Sequence, residues 1–297
     1  MILQKIRDKI THSEWFTLGM LALAIGFASG AGVWFFKLLV DFFQDLFFTL
    51  IPRAFPESAG RLLMVLAPVV GGLVVGLLVA RTVKKEKSHG VAGIMEAVAL
   101  AGGRLPVALL PARIMAAAIS IGSGASVGPE DPSVQIGTHL SSFIGQRLHL
   151  TEDRMRSVVA AGAASAIAAA FNAPIAGVFF ALEVILGEIS SGSLGLIVLA
   201  AVVSSVFTQA VSGAQPAFRV PAYPVQSGLE LPLYLVLGVL AGLVSVAYIG
   251  LLFQARDRFA ALKMPAWLKP ALGGLLVGLV GAFLPQVFGV GYETIDL

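Results

Sequence analysis

Six stretches of this chain are long and apolar enough to cross a lipid bilayer, and every other reading has to fit that fact. A spanning helix needs about 20 mostly apolar residues. Phe16–Phe36, Leu62–Ala80, Ser157–Leu182 and Ser191–Phe218 carry no charge, and Leu231–Gln254 and Pro270–Tyr292 also qualify. Two further stretches are apolar but interrupted: Val91–Leu100 holds Glu96, and Leu105–Val127 holds Arg113. One such run is compatible with the buried core helix of a soluble domain; six together are not. Only 12% of the residues are charged, against about 25% in an average soluble domain. The first apolar run is too long for a secretory signal and has no small-residue cleavage site after it. The predicted class is an all-α polytopic integral membrane protein.

Charge and composition narrow the chemistry. The net charge is +3 with no cysteine, which excludes disulfides, thiol catalysis and cysteine-held metals. So small an excess of base reads as loop bias, not as a nucleic-acid surface. A hydrolase needs a nucleophile with a base, and the histidines are isolated and loop-like; no phosphate-binding loop occurs, so neither a hydrolase nor an ATP-driven pump is supported. His139 and His149 are too isolated to suggest a metal cluster, and no cofactor is implied. Pairs such as Gly274–Gly278 have helix-packing spacing, but a chain with 33 glycines produces these freely, and they are discounted.

Lysine and arginine in short loops set orientation. Lys5, Arg7 and Lys9, the run Arg81, Lys84, Lys85 and Lys87, and Arg256, Arg258, Lys263 and Lys269 place the N-terminus, 81–89 and 255–269 in the cytoplasm. The first long helix then runs outward and 231–254 runs inward, the opposite sense expected at the start of an inverted repeat. The expected location is the plasma (inner) membrane of a prokaryote.

The short segments carry the functional signal. Val91–Leu100 is about 15 Å long as a helix and does not span. Residues 122–137, GSGASVGPEDPSVQIG, hold four glycines and two prolines and cannot form one helix. Asn172 and Pro174 interrupt Phe171–Leu186. Broken backbone at membrane depth is tolerated where it is buried in protein or lines a cavity, and broken helices aim their N-terminal N–H groups at that cavity. Three helix starts are expected: His89–Gly90, Gly128–Glu130 and Asn172–Pro174. Glu130 and Asp131 lie in this apolar context, and an intramembrane carboxylate is a functional candidate by default. The plainer reading is a good helix beginning, with acids in the first turn after proline. The residues by themselves also permit a proton-linked transporter of any substrate.

Three blocks resemble the CLC family of chloride channels and chloride/proton exchangers. SHGVAGIMEAVALAGGRLP (88–106) is similar to the family's G-[SH]-G-[IV]-P-E block. GSGASVGPEDPSVQIG (122–137) is similar to its G-S-G-x-S-x-G-R-E-G-P-x-V-Q-I-G block. AAGAASAIAAAFNAPIAGVFFALEVILGE (160–188) is similar to its F-N-A-P-[LI]-A-G block. The resemblance implies an inverted-repeat helical fold with an anion pathway in each subunit of a homodimer in the lipid bilayer. Residues 1–230 would form the first repeat, with pathway motifs at 88–106, 122–137 and 171–186, and 231–297 would be the first two helices of a truncated second repeat. Glu130 matches the family's gating glutamate. Ser88, His89, Gly90, Val91, Ser123 and Gly128, with Glu130, would line the anion sites. His89 stands where many members have the central-site serine; its plain alternative is a loop residue beside a basic run. Ser123 could equally be a small residue easing helix packing. Asn172 and Pro174 are expected to shape a turn and not to touch the ion.

The departures matter as much. Pro129 replaces the family's arginine, Asp131 replaces glycine, and Ala92 and Gly93 replace Pro-Glu. The exchangers carry an inner proton-relaying glutamate at the position of Val184, which favours a passive, possibly voltage-gated, chloride channel unless Glu183 or Glu188 substitutes as the proton path. The second-repeat G-x-F-x-P loop and the C-terminal tyrosine have no match. The chain is therefore expected to be a fragment, to be completed by a partner polypeptide, or not to conduct. Three functional readings remain: a glutamate-gated channel, a proton-coupled exchanger, and a non-conducting membrane subunit or scaffold.

Overall fold

The computed structural model describes residues 14–82, 90–188, 191–215 and 227–295, and every described element is a helix. Helix α1 (Glu14–Asp45) continues through a π-helical turn (Leu46–Leu50) as far as Arg53, so the first span covers 38 residues, Phe16–Arg53. That is about 57 Å of helix, well beyond the roughly 30 Å hydrocarbon layer, and requires a strong tilt or a projecting end. Then come α2 (Gly60–Thr82), α3 (Gly90–Leu100), α4 (Leu110–Gly122), α5 (Glu130–Arg147) and α6 (Glu152–Phe171). They are followed by α7 (Pro174–Phe180, extended by a π-helical segment Ala181–Leu186), α8 (Ser191–Ser212), α9 (Glu230–Ala261), α10 (Lys269–Gly281) and the single turn α11 (Tyr292–Ile295).

Among the described residues, four helices are long and apolar enough to cross a membrane: Phe16–Arg53, Gly60–Thr82, Gly192–Ser212 and Glu230–Ala261. Two of the expected spans differ. Ser157–Leu182 is divided, because Asn172 adopts a left-handed conformation (φ 53°) that ends α6, and Pro174 then starts α7. Pro270–Tyr292 is helical only to Gly281. A 3-10 turn at Pro285–Val287 and the left-handed Gly289 and Gly291 (φ 71° and 78°) follow it. The three broken-helix starts stand at Gly90, Glu130 and Pro174.

Helix α6 is the axis of the molecule. Its residues from Val158 to Ala170 are all buried, packed among α5, α7, α8 and α1. Alanine, glycine and serine predominate there, so neighbouring backbones approach closely, as packing in lipid requires. A Cβ on Gly137 of α5 would collide with the Gly162 carbonyl, and one on Gly162 with Ser141 Oγ. A second layer pairs α2 with α10. Cβ atoms on Gly72 and Gly76 would strike the Pro270 and Trp267 carbonyls, and on Gly274 and Gly278 the Pro68 and Val65 carbonyls. The Gly274–Gly278 spacing discounted above is thus a real seam. Its significance lay in the partner pair Gly72–Gly76, about 200 residues earlier in the chain.

In contrast, α9 has no buried residue and packs extensively against no described element. Its C-terminal carbonyl at Ala260 accepts from Lys269 Nζ (2.8 Å).

Lys37 of α1 closes the C-terminus of α6: its ammonium donates to the carbonyls of Ala169 (3.1 Å) and Ala170 (2.8 Å). A cation at the negative end of a helix satisfies carbonyls that have no intrahelical donor. Lys37→Met keeps the apolar stem and removes these bonds. It should lower stability by about 1–3 kcal/mol, read as a reduced melting temperature in detergent.

Candidate functional site

The site forms where α3, α5 and α11 meet. Gly124 (φ 103°) turns the chain away from α4, and buried Pro129 then starts α5. The first N–H groups of a helix have no intrahelical acceptor, and Pro132 has none to offer, so α5 opens with the amides of Glu130 and Asp131. Both side chains are half-buried.

The two adjacent carboxylates go to different places. Glu130 Oε1 accepts from the Tyr292 hydroxyl (3.2 Å). Its carboxylate folds back over Gly128, where any Cβ would collide with it. Tyr292 is delivered by the Gly289–Gly291 turn, and its ring leans on Phe171 (centroids 6.4 Å apart). Val290 of the same turn packs against the buried cluster that includes Val33 and Phe36, which anchors the turn that carries Tyr292.

Asp131 turns toward α3. Its Oδ1 accepts the backbone N–H of Val91 (2.8 Å), and its Oδ2 accepts Gln135 Nε2 (2.6 Å). Gln135 Oε1 in turn accepts from Arg113 Nη1 (3.2 Å). Gly90 has φ 70°, and a Cβ there would lie 2.7 Å from Asp131 Oδ1. Next to this relay is a cavity of about 140 Å³ whose polar lining is Arg104, Arg113 and His139.

The remaining site candidates are placed as follows. Ser88 and His89 lie outside the described residues. Buried Ser123 ends α4; its hydroxyl donates to the Ser120 carbonyl (3.1 Å), and its side chain faces Gly71 of α2. Asn172 Oδ1 accepts from Ser205 (2.9 Å) and Gln209 (3.0 Å), tying the α6–α7 turn to α8. Glu183 is exposed, whereas Val184 packs against the core. Glu130, Gly128, Gly90 and Val91 are therefore gathered around the start of α5, and Ser123 and Glu183 are not. Sequence reading missed Tyr292, the contact of Asp131 with α3, and Gln135. No local pattern marks them. The one available signal was Arg113, a cation in an otherwise apolar stretch, which had to have a polar destination.

Residues 71–297 match the family described as voltage gated chloride channel. A ClcB-like chloride channel protein of Ralstonia nicotianae is 36% identical over 248 residues, 82% of this chain and 57% of that protein. Chloride channel protein CLC-e of Arabidopsis thaliana is 32% identical over 296 residues, 93% of this chain and 41% of that protein. The chain thus spans about half the length of these relatives. Among solved structures, a slow cyanobacterial Cl-/H+ antiporter superposes with a TM-score of 0.80 at 22% identity, covering 92% of this chain and 65% of that one. With its apolar helices, its broken-helix starts and this family match, the chain is a multi-pass membrane protein that belongs to the CLC family of chloride channels and transporters.

Proposed function

We propose that this protein carries chloride across the membrane along the N-termini of α3 and α5, with Glu130 as the gate. The observation that carries this reading is the position of Glu130. It is a half-buried carboxylate at the first residue of a broken helix, held by the Tyr292 hydroxyl. A helix N-terminus favours negative charge through its open N–H groups and its dipole, so the carboxylate and a chloride compete for one place. The relatives' names, chloride channel protein in Ralstonia nicotianae and in Arabidopsis thaliana, support chloride as the ion.

The passive channel is the first reading, supported by Val184, an apolar residue packed in the core, and by the exposure of Glu183. The proton-coupled exchanger is the second, supported by the fold shared with the cyanobacterial antiporter. Residues 1–230 are read as the first repeat and 231–297 as the start of the second. The homodimer, the cytoplasmic N-terminus and the prokaryotic plasma membrane complete the proposal.

The test is chloride efflux from liposomes holding the full-length protein, with external pH recorded at the same time. Chloride efflux without proton movement is the expected result. Proton movement in fixed ratio to chloride establishes the exchanger, and absence of flux establishes the non-conducting subunit. Tyr292→Phe keeps the ring against Phe171 and frees Glu130. It should raise efflux by about tenfold or more, the equivalent of one hydrogen bond to a charged group.

A further inference from the structure

We propose that Asp131 is a tethered anion: its carboxylate fills the place at the N-terminus of α3 that a transported anion must take, and conduction requires it to leave. The inference rests on the anion-pathway reading above and adds to it a second closure point, at α3.

The argument begins with the backbone. Helix α3 is 11 residues long and starts at a left-handed glycine, and the first amides of a helix have no intrahelical acceptor. The Val91 amide is occupied by Asp131 Oδ1 at 2.8 Å. The carboxylate lies so close to Gly90 that even a methyl group there would meet it. A charged acceptor on a backbone N–H at a helix start is what a bound anion would be. Here that acceptor is supplied by the chain itself, from 40 residues further on.

The second observation is that the carboxylate is positioned from behind. Gln135, one turn along α5, donates to Oδ2 (2.6 Å) and accepts from Arg113 of α4 (3.2 Å). Arg113 is thereby a positioning residue that reaches Asp131 through an amide. Three helices converge on one carboxylate, and Gly90, which it abuts, lines the Arg104–Arg113–His139 cavity, whose lining provides two cationic guanidinium groups for a displacing anion. Because Glu130 and Asp131 are consecutive, one carboxylate is held by Tyr292 and the other by α3. The described conformation is closed at both.

The experiment uses the full-length protein in liposomes, comparing wild type with Asp131→Gly, which empties the α3 place, and Asp131→Asn, which keeps an acceptor oxygen for Val91 without the charge. A charged hydrogen bond at this place corresponds to roughly a ten- to hundredfold effect. Chloride efflux should rise by that factor in Asp131→Gly and less in Asp131→Asn. Formate, a free carboxylate, should inhibit Asp131→Gly and leave wild type unaffected. Chloride should also raise the melting temperature of Asp131→Gly more than that of wild type, a readout independent of flux. Wild-type efflux that both variants leave unchanged overturns this inference and leaves the pathway reading standing. Loss of efflux in Asp131→Gly with full recovery in Asp131→Asn makes Asp131 a purely structural pin and also overturns it. If no form of the protein conducts or responds to chloride, both readings fall.

Discussion

Glu130→Gln is expected to raise chloride efflux at neutral pH by about tenfold or more and to flatten its dependence on external pH. A glutamine still fits over Gly128 and still accepts from Tyr292, so the local geometry survives. In the proposed gate it loses the charge that competes with chloride for the α5 amides, and a carboxamide has no proton to exchange. A charged hydrogen bond contributes roughly 1.5–3 kcal/mol, which sets the size of the effect. Efflux measured as a function of external pH checks it. A pH profile identical to wild type would remove Glu130 from the gate.

Gly162→Val should have the largest effect on the fold, above about 4 kcal/mol, as expected of overpacking with no route for relaxation. Gly162 meets Ser141 Oγ and the Gly137 carbonyl across the α5–α6 seam, and α6 is enclosed along its length. Loss of a monodisperse peak in detergent chromatography is the expected readout. The matched control is Gly238→Val in α9, where nothing lies within 4 Å; it should elute and melt like wild type. Equal behaviour of the two variants would mean that α6 is not the axis of the core.

Much of the architecture is legible in the residues themselves. Uncharged runs identify long helices because lipid leaves the backbone few ways to satisfy its polar groups. The three broken-helix starts are legible because glycine and proline act locally on φ and on the N–H group. Span lengths are less so. The run Pro270–Tyr292 is apolar throughout, yet it stops at Gly281 because Pro285 and two left-handed glycines are turn residues that hydropathy does not register.

The candidate site divides along the same line. Glu130 stands out because an acid in an apolar stretch is costly wherever the chain folds. The same rule marks Asp131, but not its partner. That its carboxylate turns away to cap α3 depends on where residue 91 comes to rest. Tyr292 reads as an ordinary aromatic near an apolar run, yet it meets an acid 162 residues earlier. Gly274–Gly278 looks like chance until Gly72–Gly76 is seen facing it.

The sequence by itself therefore determined the membrane class, the broken helices and the candidate acid Glu130, because each rests on local chemistry: hydrophobic length, backbone restriction, or an unavoidable buried charge; the family and the gate role came from the resemblance of three motif blocks. Only the tertiary structure decided which partner each polar group found. Hydrogen bonds reach about 3 Å, and which atoms come that close across 40 or 162 residues is set by the packing of α1, α4, α5 and α6, not by any short pattern in the chain.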